Sequence, residues 1–169
     1  MAEQVLALRR RYDPVTASLP AEITIAGSSG VGVLLPDQNP EYVLNAVERI
    51  GCEHLPLITS FVAVSRFPRT QVFWLKPRER GPFDAIQSSL SAAGVKFSPN
   101  PFSFNPHCTL SAQAKLSQAQ EAELLATTFP KEEFSLSTLS LYQLIEERAS
   151  LLRSFSFYCR PNALFQPTP

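Results

Sequence analysis

Asn105-Pro106-His107-Cys108-Thr109-Leu110 is the stretch on which the reading of this chain turns, with an earlier, imperfect echo of it in Leu19-Pro20-Ala21-Glu22-Ile23-Thr24-Ile25. In each, a titratable residue, an apolar residue, threonine and another apolar residue follow shortly after a proline. Side chains alternate between faces along a strand, so residues two apart share a face. His107 with Thr109, and Glu22 with Thr24, would each set a proton-transfer group beside a hydroxyl donor. Two such pairs facing one another suit a phosphate ester, and the first of them carries glutamate.

The elements around these motifs alternate. Residues 4–8 form a short apolar run expected as a strand, followed by Arg9-Arg10-Arg11 and a loop at Tyr12-Asp13-Pro14. Residues 22–25 are expected as a second strand. Asn39-Pro40 opens a helix, since asparagine caps well and proline fits the first helical position. Val43, Leu44, Val47 and Ile50 continue it, and Gly51 is expected to close it. Residues 57–64 and 71–75 read as strands, the latter carrying Val72, Phe73 and Trp74. Pro82 sits near the start of a helix with Phe83, Ile86 and Leu90 on one face and Gly94 as terminator. Residues 107–110 form the next strand. Ser117 and Gln120 carry the capping-box signature of a further helix. Residues 135–141 and 154–158 add strands, and the tail, 166–169, is expected to be disordered.

Two strand–helix–strand halves, each holding one motif, predict an internally duplicated α+β fold. It is bilobal and pseudo-twofold, with mostly antiparallel sheets around a central cleft. No low-complexity segment divides the 169 residues, so one domain is expected, with halves at about 1–80 and 81–165.

Composition limits the function classes. Fifteen basic residues balance fifteen acidic ones, so no global charge favours duplex DNA or an anionic membrane. Three cysteines, Cys52, Cys108 and Cys159, lack metal-ligand spacing, which favours reduced thiols and a cytoplasmic location. Met1-Ala2-Glu3-Gln4 starts no secretory leader, and the mostly apolar run 55–64 is too short to span a bilayer.

With the Tyr12-Asp13-Pro14 lead-in, Pro106-His107-Cys108-Thr109-Leu110 and the element order in place, the chain resembles the 2H phosphoesterase superfamily. That superfamily includes 2′-5′ RNA ligase-like proteins and cyclic nucleotide phosphodiesterases, and carries two His-x-Thr/Ser motifs about half a chain apart. The second motif matches in full, while the first keeps Thr24 and has Glu22 where the family has histidine. The resemblance implies that His107 and Glu22 are the acid/base residues, and that Thr24 and Thr109 hold the phosphate. It implies no metal and no cofactor. The ligand it implies is a nucleotide or RNA end, bound by a monomer. The implied reaction is hydrolysis of a phosphodiester such as a 2′,3′-cyclic phosphate, and the alternative is a catalytically impaired binder of the same fold.

Glutamate changes the electrostatics of such a site. An ionised carboxylate about 4 Å from a phosphodiester costs roughly 4 kcal/mol at an effective dielectric near 20. The same repulsion, with burial, raises its pKa and can make it a competent acid. A basic residue often follows the second motif in the ligase-like branch, whereas Ser111-Ala112-Gln113 follows here. Arg11 and its neighbours are candidates to supply that charge, or form a solvated loop. Phe104 and Tyr142 are candidate substrate contacts by stacking, or core fillers. The loop Gly27-Ser28-Ser29-Gly30-Val31-Gly32 lacks the order of a P-loop or a dinucleotide site, so a turn is expected. His54 precedes Pro56 outside any motif and is expected in a surface or edge role. Cys108 should point into the core rather than act as a nucleophile.

Overall fold

The computed structural model describes residues 1–27, 29–129, 132–145 and 148–158. The expected tail 166–169 and Cys159 lie outside the described residues. The first element differs from expectation: a helix, α1 (Ala2–Tyr12), replaces the strand at 4–8. Val5, Arg9 and Tyr12 are its buried residues, at positions i, i+4 and i+7, which is one helical stripe. An arginine in the middle of that stripe hides it from a hydrophobicity pattern and leaves only a five-residue apolar run visible.

The other three helices stand where expected. Helix α2 (Pro40–Glu53) is capped by the Asn39 side chain, which accepts from the Glu41 and Tyr42 amides. It runs past Gly51 rather than stopping there. Gly51 instead allows a close approach, because a Cβ on it would lie 3.1 Å from the Ser156 carbonyl oxygen. Helix α3 (Gly81–Ala92) buries Phe83, Ile86 and Leu90, and Gly94 follows it at φ +72. Helix α4 (Gln118–Leu125) begins with the full Ser117/Gln120 capping box.

The strands form small, wholly antiparallel sheets, which makes the fold α+β as expected. Strands β2 (Phe61–Arg66), β3 (Phe73–Pro77) and β4 (Cys108–Ser111) lie side by side in that order. Strand β1 (Leu57–Thr59) pairs with β5 (Phe134–Leu136), and β6 (Thr138–Ile145) pairs with β7 (Arg148–Ser156). The run 57–64 is thus two strands broken at Ser60, whose carbonyl and hydroxyl both accept from Arg78. Residues 22–25 belong to no strand or sheet, and the chain bends at Ile25, a second departure. Pro20 offers no N–H to a ladder. One backbone bond, from the Thr24 amide to the His107 carbonyl at 3.2 Å, joins this segment to the residue before β4.

Two hydrophobic clusters hold these elements. One packs α2, α3 and β7 through Val47, Ile50, Ile86, Leu90 and Phe155. The other packs α1, β2–β4 and α4 through Val5, Phe61, Phe73, Leu75, Leu110 and Leu124. Each fully buried side chain of this size contributes about 1.5–3 kcal/mol. Ala21 and Ile23 pack on the second cluster, Ile25 and Ala26 on the first, so the segment holding Glu22 and Thr24 runs between the two. No described helix is long and apolar enough to cross a membrane.

Candidate functional site

His107 stands immediately before β4, where strand alternation sends Cys108 and Leu110 into the second cluster and leaves His107 and Thr109 on the opposite face. Thr109 is paired across the ladder with Trp74, so the indole shares that face. The His107 ring meets Phe67 edge-on at 5.2 Å between centroids and Trp74 at 6.0 Å. Phe67 and Trp74 stack on each other at 5.1 Å. The imidazole is therefore enclosed by aromatic rings and only 2% exposed.

His107 Nδ1 lies 2.7 Å from the Asn105 carbonyl oxygen, which can only accept, so Nδ1 is the donor. In the neutral ring this fixes Nε2 as the lone-pair nitrogen, and Nε2 has no partner among the described residues. Burial pushes the His107 pKa below its ordinary value, and the Asn105 carbonyl opposes that only in part. The ring is held neutral and in one tautomer, the state a general base requires.

Glu22 titrates in the other direction. Burial raises its pKa, against a smaller downward pull from the Arg9 charge. Tyr142 is raised by its own burial and then by the charge of Glu22. Glu22, Thr24 and Tyr142 line one cavity of about 780 Å³, whose walls come from both cluster regions. His107 and Thr109 are not on that lining. The structure thus forms two groups, Glu22 with Thr24 and Tyr142, and His107 with Thr109 and Trp74, joined by the Thr24–His107 backbone bond.

Two residues clamp the motif segments together, and sequence reasoning missed both roles. Arg9 is 2% exposed. Its guanidinium donates to the carbonyls of Leu19 at 2.7 Å, Pro20 at 3.0 Å and Thr109 at 2.9 Å. With Leu19 and Pro20 beside Thr109, and Thr24 beside His107, the first segment runs antiparallel to β4. Asp13 is 1% exposed and accepts from the Thr16 amide and hydroxyl on one side. On the other it accepts from the Ser111 hydroxyl and the amides of Ala112, Gln113 and Ala114. Burial alone would raise its pKa, but these bonds hold the carboxyl well below the usual range. The residues after the second motif are therefore spent on Asp13. The signal was available in the Arg9 spacing and in the Tyr12-Asp13-Pro14 lead-in.

The remaining candidates separate from the two groups. Arg11 is paired with Glu123, its guanidinium 5.2 Å from the Tyr12 ring, so the structure ties it to α4 rather than to His107. Phe104 is half-buried, lies against Gly30, and its carbonyl accepts from Arg80 at 3.2 Å. The glycine loop acts as a turn that buttresses the approach to His107: the Gly30 amide donates to the Phe102 carbonyl and Asn100 Nδ2 donates to the Gly27 carbonyl. His54 Nε2 is 3.1 Å from the Ser89 hydroxyl, away from both motifs. Cys108 is a buried free thiol, pushed up to about 11 by burial, and so is inert at neutral pH. Cys52 is disulfide-bonded, against the expectation of reduced thiols, because spacing alone does not tell which cysteines the fold brings close.

The family model for the 2′-5′ RNA ligase superfamily matches residues 1–148. No curated protein sequence matches the chain. Among solved structures the chain resembles TT0787 of Thermus thermophilus, at 18% identity over 78% of this chain and 76% of that one, TM-score 0.57. It resembles E. coli LigT in apo form at 19% identity, covering 94% and 91%, TM-score 0.54. The LigT complex with 3′-AMP aligns at 20% identity over 92% and 90%, TM-score 0.53. At these identities the likeness is one of fold.

Proposed function

Because the chain belongs to the 2′-5′ RNA ligase superfamily, the 2H phosphoesterases, we propose that it is a divergent phosphodiesterase that opens a nucleotide or RNA phosphodiester, with a 2′,3′-cyclic phosphate as the model substrate. The observation that carries the reading is the lock on His107, the Nδ1 bond to the Asn105 carbonyl at 2.7 Å inside an aromatic enclosure. In this reading 1–169 is one domain whose halves each give one motif, acting as a monomer and without a metal or cofactor.

His107 Nε2 takes a proton from the attacking water as its oxygen bonds to phosphorus. The bond from phosphorus to the 2′ or 3′ oxygen breaks, and that oxygen takes a proton from Glu22, leaving a phosphomonoester. Thr24 and Thr109 donate to the non-bridging oxygens. The shifts of the two acid/base residues fit these roles, since burial favours neutral His107 and protonated Glu22. LigT structures hold 3′-AMP and ATP, and the reading extends nucleotide binding to this chain. Substrate entry requires the two motif groups to open onto a common space. The second reading, a nucleotide binder without turnover, draws on Glu22 itself, whose ionised form would repel a phosphodiester.

The test is hydrolysis of 2′,3′-cyclic nucleotides from pH 4.5 to 8 by wild type, His107→Ala and Glu22→His. Turnover that falls by about 10²–10⁴ in His107→Ala and rises as Glu22 becomes protonated supports the enzyme. Activity unaffected by His107→Ala sinks it. A silent wild type that binds nucleotide, and gains turnover with Glu22→His, selects the binder.

A further inference from the structure

Resting on the phosphodiester reading above, we infer that the cavity beside Glu22 is a subsite for a long aliphatic chain, so that the preferred substrate is a phosphodiester bearing an acyl or alkyl group. The cavity has a volume of about 780 Å³, and Glu22 and Thr24 are on its lining. Its walls include Leu34, Phe97, Leu139 and Leu141, apolar side chains that the packing of α2, α3 and β7 leaves only partly buried. The volume is within the range of about 300–1,000 Å³ typical of small-ligand sites.

Charge and hydrogen bonding select the occupant. No lysine, arginine or histidine is among the described residues of the lining. A ribonucleotide strand needs a basic, aromatic track, and its further phosphates would meet no cation among the described lining residues. Thr24, Thr138, Ser140, Tyr142 and Gln143 are the hydrogen-bonding side chains beside the Glu22 carboxyl in an otherwise apolar wall. A nucleobase seated beside the paired Leu34 and Phe97 would leave edge groups facing apolar side chains, at about 1–3 kcal/mol for each unsatisfied group. A hydrocarbon chain has no polar group to satisfy and gains from every methylene buried. The reacting phosphate then stays beside the Thr24 hydroxyl and the Glu22 carboxyl.

The experiment uses the full chain and uridine 2′,3′-cyclic phosphate carrying 5′-O-alkanoyl groups of two to twelve carbons, below their micellar concentrations. Reacting and leaving groups are then constant, and only the tail varies. KM should fall about fourfold per methylene while the chain enters the cavity, the equivalent of about 0.8 kcal/mol per buried CH2, with kcat unchanged. Leu139→Trp, which fills the cavity, should flatten the series and leave the two-carbon ester unaffected. Turnover with a KM indifferent to chain length overturns the inference and leaves the phosphodiester reading intact. If no ester turns over, that reading fails, and the cavity is read separately by displacement of neutral N-phenyl-1-naphthylamine with dodecanol. Displaceable binding that Leu139→Trp abolishes upholds the aliphatic subsite; absence of binding by wild type overturns it.

Discussion

Replacing Asp13 by asparagine should cost about 4 kcal/mol of folding stability at neutral pH, and that cost should shrink in acid. The carboxylate accepts from the Thr16 amide at 3.1 Å and hydroxyl at 2.8 Å, from Ala112 and Gln113 amides at 2.8 Å each, and more distantly from Ser111 and Ala114. Asparagine retains one acceptor oxygen, which can serve either Thr16 or the turn at 111–114, and its NH2 group meets donors on the other side. About two charge-assisted bonds are lost at roughly 1.5–3 kcal/mol each, and shared acceptors make the sum less than additive. Against a total stability of about 5–15 kcal/mol, the loss is large. The folded-state pKa of Asp13 is depressed, so its contribution is complete above the unfolded value of about 3.9 and is lost as pH falls through the folded value. Wild type therefore weakens below about pH 4 by a route that Asp13→Asn no longer has. Urea unfolding followed by circular dichroism at pH 7 and pH 3 measures both effects. A difference under about 1 kcal/mol at pH 7, or one equally large at pH 3, would refute the clamp.

Leu124, fully buried under the second cluster, should cost about 2–5 kcal/mol as Leu124→Ala in denaturant unfolding. Trp74 Nε1 is buried and has no hydrogen-bond partner among the described residues. Trp74→Phe removes that orphaned donor, which costs about 1–3 kcal/mol, and should stay within about 1 kcal/mol of wild type. A loss above about 3 kcal/mol would mean that the indole is bonded. Glu22 has a raised folded-state pKa, so its ionisation destabilises the fold as pH rises from about 4.3 through that value. Glu22→Gln should accordingly raise Tm at pH 7 by about 2–4 °C, the effect of roughly 1 kcal/mol in a chain of this size, and leave it unchanged at about pH 4. Equal shifts at both pH values would contradict the burial of that carboxyl.

The helices with explicit caps were legible because their signals are local. Asn39-Pro40 and Ser117/Gln120 bond amides within their own first turns. The β3 and β4 strands were legible from residues that suit a pleated, half-buried surface. Helix α1 was not, since its buried stripe contains Arg9, whose charge is satisfied by carbonyls that include one 100 positions away. Residues 22–25 carry the right alternation, yet a ladder depends on a partner strand that no alternation identifies. In the candidate site, the face-sharing of His107 and Thr109 follows from period-two geometry. The orientation of the imidazole depends on the Asn105 carbonyl, and the turn at 111–114 is drawn to Asp13. Both are tertiary facts without a residue-type signature.

The clamp also sets an order of events during synthesis. Arg9 and Asp13 leave the ribosome early, but their partners at Thr109 and in the turn at 111–114 are separated from them by 98 to 101 positions. At about 5–20 residues per second, roughly 5–20 s pass before those groups exist. Over that interval Arg9 has only near partners such as the Leu19 and Pro20 carbonyls, the Asp13 carboxylate has only Thr16, and the Glu22 segment has no β4 to lie against. The nascent N-terminal portion thus contains every residue of the first motif without the strand against which it is registered. Registration of the two motifs is a late, single closure across most of the chain, and a product stopped near residue 100 would have no half-built site to retain.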